Sequence, residues 1–156
     1  MPMKMKACGL LAAFALATVP MMAQAQENMT EGPVWVLSCY QVNDGQWDNY
    51  MKWLRTHNLP MSEARKQAGL ILDYKVFVSG REGPNDCDIS FAYLYPTAGA
   101  AFDYSATDDA KEDEIGKAHW GTWSDDDAKK ARDSRFEMRR FIRNSWVREV
   151  TLKPMP

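Results

Sequence analysis

The chain has 156 residues, 19 of them basic and 21 acidic, and a formal net charge of −2 at pH 7. This balance gives no electrostatic reason to expect nucleic acid as a partner, because nucleic-acid-binding domains normally carry a basic patch. The two histidines have no cysteine or glutamate beside them at ligand spacing, so the sequence predicts neither a metal site nor a cofactor.

Residues 1–25 have the pattern of an export signal. Lys4 and Lys6 form a positive start, residues 7–19 an apolar segment, and residues 23–25 an Ala-Gln-Ala cleavage site. The apolar segment is shorter than the roughly 20 residues of a transmembrane helix. We therefore expect cleavage before Gln26, a mature chain of 131 residues without a membrane span, and a periplasmic or secreted location.

The first half of the mature chain predicts a strand and a long helix. After a flexible N-terminal segment at 26–33, a single α+β domain is expected over 34–156, beginning with a strand at 34–42 that is apolar in both alternating sets. Apolar residues at spacings of three and four then predict one helix from Trp47 to Gly69. Pro60 lies inside it, and we expect a kink near His57, because proline removes a donor and clashes with the preceding turn.

Two further strands are expected in the middle of the chain, at 71–78 and 87–95, with a turn-rich loop at 80–86 between them. The second of these strands is stopped by Pro96. A short helix is then expected to begin at Thr97, whose hydroxyl can cap free backbone amides.

The last third of the chain begins with a charged segment at 108–114, expected to be irregular and solvated. Ser124 precedes three aspartates, a combination that predicts a helix start, since hydroxyl and carboxylates stabilise free backbone amides. We expect that helix to run to about Arg143 and the final strand to occupy 146–152.

This order of elements predicts a ferredoxin-like α+β fold, with a four-stranded antiparallel sheet and helices on one face. Together with Tyr50, Trp53, Pro60 and Gly69 in the first helix, it resembles the dimeric α/β-barrel superfamily over roughly residues 34–152. That superfamily includes small monooxygenases, isomerases, haem-degrading enzymes and many proteins without assigned function. The resemblance implies a homodimer that pairs two sheets face to face, and it carries over no catalytic residue.

Cys39 and Cys87 are the two cysteines of the mature chain, and export would allow them to form a disulfide. The predicted first and third strands are antiparallel neighbours, so the end of one lies beside the start of the other. Placing the two cysteines opposite one another pairs Leu37 with Ile89 and gives an apolar face. The alternative is a pair of buried, reduced thiols.

His57 and His119 are the candidates for acid–base chemistry, since imidazole titrates near neutral pH. His57 lies on the apolar stripe of the first helix, one turn after Trp53. His119 is expected in an aromatic loop with Trp120 and Trp123 that forms the mouth of a cavity. The alternative for His57 is a histidine at the edge of the core whose ring nitrogens are hydrogen-bonded within the protein. The alternative for the aromatic loop is two tryptophan rings that close an open end of the sheet-and-helix layer.

A series of arginines is expected to form one basic stripe on the last helix. The stripe can face an anionic ligand, because guanidinium groups bind carboxylates and phosphates in a planar, two-pronged geometry. Solvated cations that complement the helix dipole are the favoured interpretation. The series comprises Arg132, Arg135, Arg139 and Arg143, with Arg140 beside them.

The aromatic residues expected to converge between sheet and helices suggest a non-catalytic homodimer that binds a small apolar or aromatic ligand. The expected ligand-binding residues are Trp35, Tyr50, Trp53, His57, Phe91 and Tyr93. One alternative is a small cofactor-independent oxygenase or isomerase that uses His57 or His119. Another is an envelope interaction protein that uses Trp120 and Trp123 as an exposed anchor.

Overall fold

The computed structural model describes residues 28–121 and 124–154. The predicted export signal and its cleavage site lie outside these residues. In chain order the elements are β1 (Met29–Val42), α1 (Trp47–Trp53), a π-helical turn (Leu54–Asn58), α2 (Leu59–Gln67), β2 (Asp73–Val78), β3 (Ile89–Tyr95), α3 (Ala98–Phe102), α4 (Ala106–Trp120), α5 (Asp125–Met138) and β4 (Arg139–Leu152). None of these helices is long and apolar enough to cross a membrane.

The four strands form one antiparallel sheet in the order β2-β3-β1-β4. The chain crosses over the sheet between β1 and β2, and again between β3 and β4, while β2 and β3 are joined directly. This arrangement confirms the predicted ferredoxin-like α+β fold.

One face of the sheet packs against the helices. Tyr50 and Ile89 have no exposed surface, and with Val42, Leu54 and Phe91 they form the hydrophobic core. Burial of each large apolar side chain contributes about 1.5–3 kcal/mol. The strand register places these β1 and β3 residues on the same side of the sheet.

The opposite face, here called the open sheet face, carries a group of apolar side chains with polar ones among them. Phe77 and Val147 on this face are 46% and 53% exposed. The alternation of side chains along the strands places Lys75, Ser90, Ser145 and Glu149 on the open sheet face together with its apolar members: Trp35 and Leu37 of β1, Phe77 of β2, Ala92 and Leu94 of β3, and Val147 of β4.

A π-helical turn interrupts the first helix just before Pro60. The backbone N–H of Leu59 bonds to the carbonyl of Leu54, five residues earlier, instead of four. Pro60 has no N–H to bond to Thr56, and its ring would clash with that carbonyl in a regular helix. The predicted distortion near His57 is therefore a widened turn, and it directs His57 into the helix layer, where the side chain is 7% exposed.

Cys39 and Cys87 are joined by a disulfide, with 5.4 Å between their Cα atoms. The predicted register is wrong by three residues, since Ile89 pairs with Tyr40 and not with Leu37. Cys87 lies just before β3, where the N–H of Asp88 bonds to the Tyr40 carbonyl at 2.9 Å. This bend brings the two sulfur atoms together although Cys39 lies opposite Ser90 in the ladder.

The charged segment at 108–114 is not irregular but lies inside α4. The Ser105 hydroxyl caps the helix by accepting from the Asp108 N–H at 3.3 Å. The single Nε–H of Arg65 is shared between the two carboxylate oxygens of Glu112, at 2.8 and 2.9 Å, and so joins α4 to α2. These contacts stabilise a helix whose own sequence has little amphipathic pattern.

The last helix begins as predicted and ends earlier. Ser124 Oγ accepts from the Asp127 N–H at 3.2 Å, but α5 stops at Met138 instead of Arg143. From Arg139 the chain pairs with β1 as the edge strand β4, and the Asn43 N–H bonds to the Met138 carbonyl at 2.9 Å. Within the segment expected to be flexible, residues 29–33 belong to β1.

Candidate functional site

The two histidines meet inside the helix layer, although 62 residues separate them in the chain. His57 comes from the π-helical turn and His119 from the last turn of α4, and His57 Nδ1 lies 3.1 Å from His119 Nε2. The two rings are nearly perpendicular, at 89°. One of the two nitrogen atoms donates its proton and the other accepts it, so the contact fixes complementary tautomers.

Aromatic rings surround this histidine pair. Trp120 stacks on His57 with ring centres 4.8 Å apart, and Trp53 lies 5.4 Å from His57. The guanidinium group of Arg132 lies over the Trp120 ring, 5.6 Å from the ring centre. The histidines therefore sit among large, weakly polar groups.

Burial lowers the pKa of both His57 and His119 below the usual value of a histidine. For His57, the charge that His119 would carry when protonated lowers the pKa further. Both imidazoles are thus neutral at pH 7, the state in which a histidine can accept a proton from a bound molecule.

Two surface grooves, each of about 430 Å³, flank the histidine pair. The Trp53 groove runs between the first helix and α5, and His57 lies in its wall. The Met61 groove runs between α2 and α4, and His119 lies in its wall. The Trp53 groove is lined by Gln46, Asn49, Lys52, Trp53, Thr56, His57, Ser134, Glu137 and Met138, and the Met61 groove by Pro60, Met61, Ala64, Glu114, Ile115, Ala118 and His119.

Five of the six residues expected to bind a ligand lie on the helix side of the sheet. Tyr50 and Phe91 are packed in the core, and Tyr93 Oη accepts a hydrogen bond from Asn58 Nδ2 at 3.2 Å. Trp53 packs against the core, donates from Nε1 to the Ala131 carbonyl at 2.7 Å and reaches the groove. Of these side chains, Trp53 and His57 line a groove.

Trp35, the sixth expected residue, lies on the open sheet face and is separated from the others by the sheet. Its indole Nε1 donates to Glu149 Oε1 at 2.8 Å, and the Lys75 ammonium lies 5.1 Å from its ring centre. The structure therefore does not bring Trp35 to the histidine pair.

The predicted aromatic loop is instead the end of a helix. His119 and Trp120 belong to α4, and Trp120 is buried against His57. Trp120 is thus not an exposed anchor, and Trp123 lies outside the described residues. The polar residues of the Trp53 groove were missed, because they come from separate elements and share no local motif.

The arginines do not form one helical stripe, because the helix ends before Arg139. Arg140 Nε donates to Gln41 Oε1 at 2.7 Å, while Arg143 Nη1 lies 3.5 Å from the Asn85 carbonyl. Arg139 points instead toward Tyr40 and Tyr50 in the helix layer.

The histidine pair has few neighbouring side chains that could ligate a metal ion. Within residues 28–121 and 124–154, no group of three or more His, Cys, Asp or Glu side chains is placed to hold a metal ion. Two imidazoles alone do not complete the four-ligand set typical of a structural zinc site.

No protein-family profile matches the chain, and no curated protein matches it either. Among solved structures, the chain is similar to a dimeric ferredoxin-like protein from an uncultured marine organism. The two share 12% sequence identity with a TM-score of 0.43, over 81% of this chain and 93% of the other.

Proposed function

We propose that this protein is an exported homodimer that binds a small, weakly polar aromatic molecule in the Trp53 groove. The observation that carries the proposal is the position of the buried, neutral His57 in the wall of that groove, beside Trp53. An indole ring beside an imidazole ring offers flat, weakly polar surface on which an aromatic ligand can stack.

The groove walls support a ligand with modest polarity. Met138 and Trp53 provide apolar surface, Asn49, Thr56 and Ser134 provide neutral polar groups, and Lys52 and Glu137 add one charge of each sign. A volume of about 430 Å³ falls within the range of small-molecule sites, about 300–1,000 Å³.

The open sheet face supports the dimer. Its apolar side chains include Phe77 and Val147, which keep about half of their surface exposed in the single chain. Pairing with the same face of a second copy would remove this surface from water, which contributes roughly 25 cal/mol per Å² of apolar area.

Export is supported by the signal pattern at residues 1–25 and by the disulfide between Cys39 and Cys87, a bond that persists in oxidising compartments. Expression of the full chain in a bacterium with an outer membrane should give a periplasmic protein that begins at Gln26. An uncleaved chain in the cytoplasm would contradict export.

Filling one groove at a time tests the binding site. Thr56→Trp fills the Trp53 groove from an exposed position, and Ala118→Trp fills the Met61 groove in the same way. Titration calorimetry with indole as the probe should show binding by the native protein and by Ala118→Trp, and binding at least about tenfold weaker by Thr56→Trp. Equal binding by both variants, or no heat at about 1 mM indole with the native protein, would contradict the proposal.

A second function, proton transfer on a bound aromatic molecule, is favoured by the hydrogen bond between His57 and His119. In this step His57 takes a proton from the ligand and becomes an imidazolium, its hydrogen bond to neutral His119, 3.1 Å away, stabilises that charge, and the imidazolium then returns a proton to the ligand. Phenylacetone, an uncharged enolisable ketone, should then exchange its α-hydrogens in D₂O faster with the native protein than with His57→Ala. An exchange rate equal to that in buffer would contradict proton transfer and leave ligand binding as the proposed function.

A further inference from the structure

Arg135 and Arg139 place two guanidinium groups at the junction of α5 and β4. Arg135 lies in the last turn of α5, and Arg139 is the first residue of β4. The Arg139 guanidinium carbon lies 3.5 Å from the ring centre of Tyr40 and 5.3 Å from that of Tyr50, and its Nη1 donates to Tyr50 Oη. Both arginine side chains are half-buried, so the two positive charges sit partly out of water.

Neither guanidinium group has a carboxylate partner in the described part of the chain. The Nε atoms of Arg135 and Arg139 are buried and have no hydrogen-bond acceptor there. Asp133, the acidic residue whose charge acts on Arg135, is bonded to Lys129 at 2.9 Å. Burial lowers the pKa of Arg135, and the neighbouring charge of Arg139 lowers it further.

Two other half-buried arginines, Arg65 and Arg148, have carboxylate partners, while a third, Arg132, lies over the Trp120 ring. Arg65 bonds to Glu112 at 2.8 Å, and Arg148, whose Nε also lacks an acceptor, forms an ion pair with Glu31. Desolvated charges are normally paired, because an uncompensated charge in a low-dielectric environment is costly. The Arg135–Arg139 pair therefore lacks a counter-anion.

We propose that Arg135 and Arg139 bind the carboxylate of a small organic acid whose apolar part lies on Phe136 and Phe141. Two guanidinium groups can hold a planar carboxylate by charged hydrogen bonds. Phe136 lies under the Arg135 guanidinium, 4.9 Å away, and Phe141 packs edge-on against Tyr40, 5.7 Å away. Both phenylalanines are more than half exposed, so apolar surface borders the two charges.

Benzoate and acetate form a matched pair of probes, since they share the carboxylate and differ in the apolar part. Titration calorimetry at constant ionic strength should show one benzoate per chain and markedly weaker binding of acetate. Equal affinity for the two would overturn the apolar contact with Phe136 and Phe141. Tighter binding of inorganic phosphate than of benzoate would overturn the assignment to an organic acid, and no binding of any of the three would overturn the site.

Arg135→Gln should weaken benzoate binding by about tenfold or more, because it removes a charged hydrogen-bonding group. Lys130→Gln is the control, since it removes one positive charge from an exposed position of the same helix. Arg139→Gln should have the same effect as Arg135→Gln, and circular dichroism will show whether that variant folds. Equal weakening by Lys130→Gln would indicate general charge attraction and would overturn the site. Indole binding in the Trp53 groove should be unchanged in Arg135→Gln, which separates this inference from the proposed function.

Discussion

His57 and His119 share a hydrogen bond in which one ring must accept, so both rings cannot be protonated at once, and the burial of both rings makes the stability of the protein depend on pH. The folded state holds the pKa of each histidine below its usual value. The unfolded chain therefore binds protons more readily than the folded one once the pH falls below about 6.5. A protonated pair would also place two like charges within hydrogen-bond distance.

The pKa of a histidine in the unfolded chain is about 6.5. We expect the free energy of unfolding to be constant near pH 7.5, above that pKa, and to decrease as the pH falls toward about 5.5. Urea unfolding at several pH values measures this directly. The chain has two histidines, so a His57→Gln, His119→Gln double variant should lose most of the slope in this range. A native protein whose stability does not change between these pH values would contradict the buried, neutral pair.

The π-helical turn is the element that positions His57. It results from Pro60, which cannot donate to the Thr56 carbonyl and displaces the backbone of the preceding turn. Turns of this kind occur frequently at functional sites, because the extra residue redirects a side chain.

Pro60→Ala should let the turn relax toward a regular helix, since alanine restores the missing N–H. We expect a change of less than about 1 kcal/mol in the free energy of unfolding, since such a substitution acts largely through the entropy of the unfolded chain. The His57 pKa should move toward its usual value as the contact with His119 loosens. Nuclear magnetic resonance of the two imidazoles measures this shift, and an unchanged His57 titration would contradict the role of Pro60.

The sequence predicted the antiparallel pairing of the first and third strands from the order of the elements, and the helix start at Ser124 from a local capping signal. It did not predict α4, whose helix depends on Glu112 reaching Arg65 in another element. It placed the end of α5 too late, because the arginines at 139 and 143 continue a helical spacing while the chain pairs with β1. No local sequence pattern predicts the contact between His57 and His119.

At the scale of the whole molecule, the open sheet face decides whether the protein acts as a dimer. Val147 lies on that face, while Val150 lies on the same strand and points to the other side. The two valines are similarly exposed, at 53% and 46%, so they form a matched pair for substitution.

Val147→Asp should convert a dimer into a monomer, because it places a charge beside Trp35 among the apolar side chains that pairing would bury. Val150→Asp should remain dimeric. Size-exclusion chromatography with light scattering measures both masses, and a monomeric native protein or a dimeric Val147→Asp variant would contradict face-to-face pairing.

The disulfide links the hairpin loop to β1 and closes a loop with a sequence separation of 48 residues. In the chain-entropy model such a bond stabilises the folded state by about 4 kcal/mol. Cys39→Ser, Cys87→Ser should therefore unfold at a lower urea concentration than the native protein, and reductant should lower the native midpoint in the same way. Equal midpoints under all conditions would indicate that the bond contributes nothing to folding.

The most direct test of the proposed function is the imidazole spectrum of the native protein, recorded by nuclear magnetic resonance while indole is added. Two histidines give two ring signals, and His57 lines the Trp53 groove while His119 lines the other. We predict a saturable shift of the His57 signal, larger than that of His119, which disappears in Thr56→Trp. Two signals that stay unchanged at about 1 mM indole would show that the groove does not bind an aromatic ring.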